Sequence, residues 1–200
     1  MSQGPPPESA QTRLRILSLE DEPRDAELIQ AVLQRAGMVF DFHRVAEEAE
    51  FVAAVESGGF DLVLADYSLP GADGGAALRI CHQRRPEWPF IFVSGSLGEE
   101  VATESLKQGA ADFVLKGRLD RLPLAVERAV REARERAARR SAEKALRQSE
   151  ERYKALFDRS LDCVFLMDFQ GQFLDANQAA LDLLGYQRED ITTTTFASLL

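Results

Sequence analysis

The chain has 200 residues, a net charge of −9 and a sequence pI near 4.9. Its length and its 45% hydrophobic content allow one or two domains with a sizeable core. The acidic balance argues against a nucleic-acid surface, and no apolar run approaches the roughly 18 residues of a membrane span. The two cysteines lack metal-ligand spacing and suit a reducing compartment. From the charge, the hydropathy and the cysteines together, we expect a cytoplasmic protein that binds neither nucleic acid nor membrane.

Residues 1–12 are rich in proline, glycine and serine, and they contain neither a basic start nor an apolar stretch. This composition is typical of a disordered lead-in rather than of a signal peptide. We therefore expect the first domain to begin at residue 13.

Five short apolar segments alternate with helical segments in the first part of the chain. The predicted strands are Leu14–Leu19, Phe40–Val45, Leu62–Ala65, Phe90–Val93 and Asp112–Leu115. The predicted helices are Asp25–Ala36, Glu47–Ser57, Gly75–Arg84 and about Gly98 to Gln108. This alternation predicts parallel βαβ units, and we expect a flavodoxin-like α/β fold with strand order 2-1-3-4-5 and helices on both faces.

Polar side chains follow four of these strands at the point where each strand ends. They are Glu20 and Asp21 after the first strand, Asp66 after the third, Ser94 after the fourth and Lys116 after the fifth. The carboxyl ends of parallel strands meet at one edge, where ligands bind. Three carboxylates there repel one another unless a cation such as Mg²⁺ compensates. The set predicts a phosphoryl-transfer site with a carboxylate nucleophile, a metal ion, a lysine and a hydroxyl.

Each of these residues also has an ordinary role when it is considered alone. Asp66 is a typical turn residue, and an acid such as Asp21 suits the start of a helix. Ser94 suits a helix N-cap, and Lys116 suits an exposed surface. Their joint placement at the strand ends favours the shared site.

Four motifs, in this order, resemble the receiver domain of two-component response regulators: LSLEDEP, LVLADYSLPGADG, IFVSGS and GAADFVLKG. The resemblance spans residues 14–133. It implies that Asp66 accepts a phosphoryl group from a phosphohistidine on a histidine kinase or a histidine phosphotransfer protein. It also implies that Asp21, Asp66 and the backbone carbonyl of Ser68 bind Mg²⁺, with Glu20 helping through water.

The same resemblance implies a switch pair and a phosphate-binding lysine. The Ser94 hydroxyl would move to the phosphoryl group while the Phe113 ring turns inward. Lys116 would bind a phosphoryl oxygen.

Two positions depart from the family pattern. The usual Asp-Asp pair is Glu20-Asp21 here, which would keep metal binding but change its geometry. The usual Lys-Pro is Lys116-Gly117, so a cis peptide bond is not expected there.

A charged helical pattern covers residues 121–157, with no glycine and with no proline after Pro123. Glutamates precede arginines by four residues, as in Glu135/Arg139 and Glu143/Arg147, a spacing that supports a helix. An apolar seam runs along it in two halves: Val126, Val130, Ala133 and Ala137, then Ala142, Leu146, Ser149, Tyr153 and Leu156. Two interpretations stay open, an isolated charged helix or a parallel two-stranded coiled coil that pairs two chains.

The segment after this helix resembles the start of a PAS sensor domain. It contains the strand VFLMD, a turn at Gln170-Gly171, the strand QFLDAN and a helix that ends in LLGY. We expect residues 158–200 to pack poorly or to adopt a partial fold, as part of an amino-terminal fragment of a longer protein. A receiver followed by a PAS domain resembles the order in sensor histidine kinases and cyclic-dinucleotide enzymes, although no kinase domain is visible in this sequence.

The sequence therefore predicts a lead-in at 1–12, a receiver at 13–120, a helical linker at 121–157 and a truncated PAS domain at 158–200. The leading hypothesis is a phosphorelay receiver that signals through a dimeric linker to a PAS and effector region. One alternative is a haloacid-dehalogenase-like phosphatase, but such enzymes have an acid/base aspartate two residues after the nucleophile, where this chain has Ser68. The other alternative is a structural dimerisation module that does not signal.

Overall fold

A computed structural model of the chain describes residues 13–69, 72–95 and 99–195. The predicted lead-in at residues 1–12 lies outside these ranges. The chain divides into two compact units, Met1–Ala137 and Ala138–Leu200. Within the described ranges, no helix combines the length and the apolar character needed to cross a bilayer.

The first unit is built on a five-stranded parallel sheet. Its strands are β1 (Leu14–Leu19), β2 (Phe40–Val45), β3 (Leu62–Ala65), β6 (Phe90–Ser94) and β7 (Asp112–Leu115). Their order across the sheet is β2-β1-β3-β6-β7, which confirms the flavodoxin-like order predicted for five strands. The labels differ from that prediction because a short antiparallel pair, β4 (Ser68–Leu69) and β5 (Ala72–Asp73), follows β3.

Helices cover both faces of this sheet. They are α1 (Pro23–Arg35), α2 (Glu48–Ser57), α3 (Gly74–Arg84), α4 (Glu99–Lys107) and α5 (Leu122–Arg159), with a 3-10 helix (Lys116–Arg121) before α5. One core joins the sheet to α2 and α3, and a second core joins its other face to α1 and the start of α5. All residues of β3 and β6 are buried, as expected for strands covered on both sides.

Local signals set the ends of α1. Pro23 occupies the first turn, where its missing N–H costs no hydrogen bond. Ala26, Ile29 and Leu33 recur at helical spacing and are all buried. Gly37 has a φ of +77°, a conformation that favours glycine, and the helix has ended two residues earlier. Because α1 begins at Pro23 and β1 ends at Leu19, the first turn of the helix lies close to the carboxyl end of β1.

Gly74 begins α3 beside the backbone of the loop that follows β3. A Cβ at this position would lie 2.7 Å from Tyr67 Cα and 2.9 Å from the Tyr67 carbonyl oxygen. Because these are backbone atoms that cannot rotate away, we expect Gly74→Ala to lower the free energy of unfolding by about 2 kcal/mol. Chemical denaturation measures this change. Gly117→Ala is the control, since a Cβ there meets nothing within 4 Å, and equal stability of the two variants would contradict the prediction.

Helix α5 has 38 residues and two different environments. Its first turns are buried under the sheet, whereas residues 134–156 are exposed. Its ion pairs join Arg139 to Glu143 at 2.8 Å and Arg147 to Glu151 at 2.9 Å. The structure confirms the predicted helix, and in these two ion pairs the glutamate follows the arginine by four residues. Each of these arginines has a glutamate on both sides, and exposed pairs of either kind differ little in energy.

The second unit contains the end of α5 and a small antiparallel sheet. That sheet pairs β8 (Phe165–Met167) with β9 (Phe173–Ala176), and α6 (Gln178–Leu184) and α7 (Arg188–Ile191) follow. A separate core joins Phe173, Ala176, Ala180, Leu181 and Ile191. Other large apolar side chains are exposed, including Leu161, Phe169 and Leu183. Packing in the described part of this unit is therefore confined to a few side chains around β9 and α6.

Candidate functional site

The strand ends bring the predicted polar residues of the first unit to one edge of the sheet. Glu20 follows β1 and Asp66 follows β3. Because Leu19 pairs with Ala65 in the register of these two strands, the residues that come next are neighbours. Both residues are buried at this edge of the sheet.

Three carboxylates form a cluster at this edge. One oxygen from each of Glu20, Asp21 and Asp66 lies within 4.8 Å of the others. Burial raises the pKa of the Glu20 carboxyl, the hydrogen bond from Lys116 lowers it in part, and the charge of Asp66 adds to the rise. The cluster therefore favours binding of a cation.

The Lys116 ammonium lies among three carboxylates. Its Nζ is 2.7 Å from Asp66 Oδ2, 2.5 Å from Asp25 Oδ2 and 2.9 Å from Glu20 Oε2. Burial would lower the pKa of Lys116, but the hydrogen bonds to these acids outweigh it and raise the pKa above its ordinary value. The lysine is therefore a cation at neutral pH, placed beside the Asp66 carboxylate.

Both oxygens of Asp66 have a fixed partner. Oδ1 accepts a hydrogen bond of 3.0 Å from the Ser68 N–H, and Oδ2 accepts one of 2.7 Å from Lys116 Nζ. These two contacts fix the plane of the carboxylate. Ser68 itself lies in β4, directly beside Asp66.

Ser94 and Phe113 lie on the neighbouring strands β6 and β7. Ser94 is fully buried, and its Oγ has no hydrogen-bond partner among the described residues. Because buried hydroxyls are normally hydrogen-bonded, this one is suited to donate to a group bound at the site. Phe113 pairs with Phe92 in the sheet and packs, partly buried, against the core that contains α2 and α3.

Two residues at this edge were not predicted from the sequence. Arg44, near the end of β2, donates from Nη1 to the carbonyl oxygens of Glu20 at 2.9 Å and Asp21 at 3.3 Å. Asp25, in the first turn of α1, contacts Lys116. The position of Arg44 at a strand end was a usable signal. Asp25 gave none, because an acid in the first turn of a helix is common for local reasons.

The donor set fits a hard divalent cation. Mg²⁺ prefers oxygen ligands, and the Glu20, Asp21 and Asp66 carboxylates supply them at one point. The single ammonium of Lys116 offsets only part of the negative charge that these acids and Asp25 concentrate there.

A sequence profile of the response regulator receiver domain matches residues 16–127, which is more than half of the chain. The chain belongs to the receiver domain family. A second profile, of the PAS domain, matches residues 151–200. Receiver domains of response regulators accept a phosphoryl group on an aspartate and are phosphorylated by histidine kinases. The receiver of this chain is accordingly a phosphoryl-accepting module.

Curated relatives match a little more than half of the chain. Transcriptional regulatory protein ZraR of Salmonella typhimurium is 29% identical over 123 residues, which are 61% of this chain and 27% of that protein. Response regulator protein PilR of Pseudomonas aeruginosa is 33% identical over 115 residues, which are 56% of this chain and 25% of that protein. The chain thus spans about a quarter of the length of these relatives.

Several solved structures align with more than half of the chain. NtrX of Brucella abortus in complex with ATP aligns with a TM-score of 0.59 and 28% identity, covering 72% of this chain and 35% of that one. A CheY-like receiver domain from Methanospirillum hungatei aligns with a TM-score of 0.54 and 25% identity, covering 62% and 99%. A sensor protein from Polaromonas sp. JS666 aligns with a TM-score of 0.54 and 26% identity, covering 60% and 98%.

Proposed function

We propose that Asp66 is the phosphoacceptor of this receiver and that its phosphorylation controls a downstream region through α5. One observation carries the first part. Asp66 is a buried carboxylate at the carboxyl end of β3, with Lys116 Nζ 2.7 Å from one oxygen and two further acids beside it. A nucleophile, a cation and a metal-type donor set therefore share one point.

In the proposed reaction, a carboxylate oxygen of Asp66 attacks the phosphorus of a phosphohistidine. The O–P bond forms as the N–P bond breaks, and the electron pair of that bond returns to the imidazole nitrogen of the donor. Lys116 and the Ser94 hydroxyl would hold phosphoryl oxygens, one as a charge and the other as a hydrogen-bond donor. Phe113 would complete the switch that Ser94 begins.

Asp21, Asp66 and the backbone carbonyl of Ser68 would hold Mg²⁺, with Glu20 contributing through water. The ion would supply positive charge between these acids and the incoming phosphoryl group. Support for this assignment is the approach of the three carboxylates to within 4.8 Å.

Incubation with acetyl phosphate and Mg²⁺ tests the proposal, with the product followed by intact-mass spectrometry and a phosphate assay. A receiver gives a species with one added phosphoryl group. A haloacid-dehalogenase-like phosphatase would instead release phosphate continuously, and a purely structural module would do neither. Either of the last two results would overturn the proposal.

We propose the following organisation for the whole chain: a receiver core at 13–120, a dimeric helical linker at 121–157 and the first part of a PAS domain at 158–200. Support comes from the continuity of α5 and from the exposure of Leu146, Tyr153 and Leu156 along one seam. Two such seams would cover each other in a parallel coiled coil. The parent protein would be a cytoplasmic sensor histidine kinase or cyclic-dinucleotide enzyme. The similarity to a sensor protein from Polaromonas sp. JS666 supports the first of these.

Replacement of Leu146 by glutamate should weaken this dimer. Leu146 is 61% exposed on the helix and would be covered by the partner helix, so a charge there would be desolvated. We expect the dimer dissociation constant, measured by sedimentation velocity, to rise at least tenfold. Gln148→Glu introduces the same residue away from the seam and is the control. A wild-type chain that is monomeric at high concentration would contradict the prediction.

A further inference from the structure

Asp25 makes the shortest of the contacts between Lys116 and its acidic partners. Its Oδ2 lies 2.5 Å from Lys116 Nζ, compared with 2.7 Å for Asp66 and 2.9 Å for Glu20. The two residues are 91 positions apart in the sequence, so the contact depends on the tertiary fold. It joins the first turn of α1 to the residue that follows β7.

A local role at the start of α1 does not account for this contact. An acid at the third position of a helix commonly reaches back to the N–H of the residue that precedes the helix. Here the Glu22 N–H donates to Glu20 Oε1 at 3.3 Å. The Glu22 side chain caps the helix by accepting a hydrogen bond from the Arg24 backbone N–H. The Asp25 carboxylate is directed to Lys116.

Asp25 differs from the other two partners of Lys116 in one respect. Glu20 and Asp66 both belong to the three-carboxylate cluster, and Asp25 does not. In the proposed function, Glu20 turns toward a metal ion and Asp66 receives the phosphoryl group. An ammonium has three N–H donors, so Asp25 can retain one of them while the other two change partners.

We propose that Asp25 is a positioning residue that anchors the Lys116 ammonium beside the phosphoacceptor throughout the reaction. The inference rests on the proposed function of Asp66. A lysine side chain has a flexible stem of four carbons and loses considerable conformational entropy when it is fixed. An anchor on α1 holds it in place before the phosphoryl group arrives, so the positive charge is already aligned with the developing negative charge.

Two measurements on the 200-residue chain test the anchor. The first is the NMR signal of the Lys116 ammonium in metal-free, 15N-lysine-labelled protein, identified by its absence in Lys116→Arg. The wild-type chain should give a slowly exchanging signal, and Asp25→Asn should lose it through exchange with water. Glu27→Gln, an exposed acid on the same helix, removes the same charge and should keep the signal.

The second measurement is the rate of labelling by acetyl phosphate and Mg²⁺. Asp25→Asn should slow labelling about tenfold, because the neutral amide oxygen holds the Lys116 ammonium less firmly than a carboxylate does, and this ammonium meets the phosphoryl oxygen. Asp25→Glu should recover part of the rate. A role limited to helix stability would change the melting temperature and leave both the ammonium signal and the rate unchanged.

The outcomes separate this inference from the proposed function. A wild-type chain that is not labelled would overturn the proposed function, and the ammonium signal would still decide whether Asp25 anchors Lys116. Labelling at the wild-type rate in Asp25→Asn, with the ammonium signal kept, would overturn the inference and leave Asp66 as the phosphoacceptor.

Discussion

The Asp66→Asn chain is expected to gain no phosphoryl group under conditions in which the wild-type chain gains one. Asparagine has nearly the same shape, and its amide oxygen can still accept one of the hydrogen bonds from Ser68 and Lys116. It lacks the anionic oxygen that attacks phosphorus, so the loss should be complete at the sensitivity of intact-mass spectrometry. Thermal unfolding would show that the fold is retained.

Asp120→Asn is the matched control for this experiment. Asp120 is an exposed acid in the 3-10 helix that follows β7, outside the cluster of carboxylates. Its replacement should leave labelling unchanged. If the Asp66→Asn chain were labelled at the wild-type rate, the phosphoacceptor would be a different acid, and peptide mapping would locate it.

Lys116→Met is expected to lower the free energy of unfolding at neutral pH by about 3 kcal/mol. Only 15% of the Lys116 side chain and 1% of the Glu20 side chain are exposed. Methionine keeps much of the volume of lysine but leaves the buried carboxylates without their compensating charge. Lys107→Met, an exposed lysine at the end of α4, is the control and should change stability little.

The loss of unfolding free energy caused by Lys116→Met should shrink as the pH falls. Burial raises the pKa of Glu20, and the hydrogen bond and charge of Lys116 oppose that rise, so removing Lys116 raises the pKa further. A carboxyl whose pKa is higher in the folded state binds protons preferentially there, and lowering the pH through that pKa stabilises the fold. Denaturation at about pH 7 and about pH 5 measures the change. An equal loss of unfolding free energy at both pH values would contradict the prediction.

The fold of the receiver could be predicted because its strands are short apolar runs separated by helical patterns. The run Leu62–Ala65 is bounded by Asp61 and Asp66, and its predicted limits agree with β3. The pair formed by β4 and β5 could not be predicted, because strands of two residues have no periodicity. The sequence there indicates only a turn.

The meeting of Glu20 and Asp66 could be predicted because it depends only on strand order. Once β1 lies beside β3, the residues that follow each strand become neighbours whatever their side chains do. Lys116 follows β7, which β6 separates from β3, and it contacts Asp66 through its long side chain. The roles of Arg44 and Asp25 depend instead on how far a side chain reaches and which partner it selects. Such choices are settled by packing over many elements, and local sequence does not record them.

The change of environment along α5 has a consequence for hydrogen exchange. Leu122 and Val126 are fully buried, so amides in the first turns should exchange only when the receiver unfolds. Residues 134–156 are exposed, and the exposed part of a helix adds little stability of its own. Slow amide exchange in residues 134–156 would therefore require a second helix packed along them. The dependence of that exchange rate on protein concentration would then report the fraction of chains that are paired.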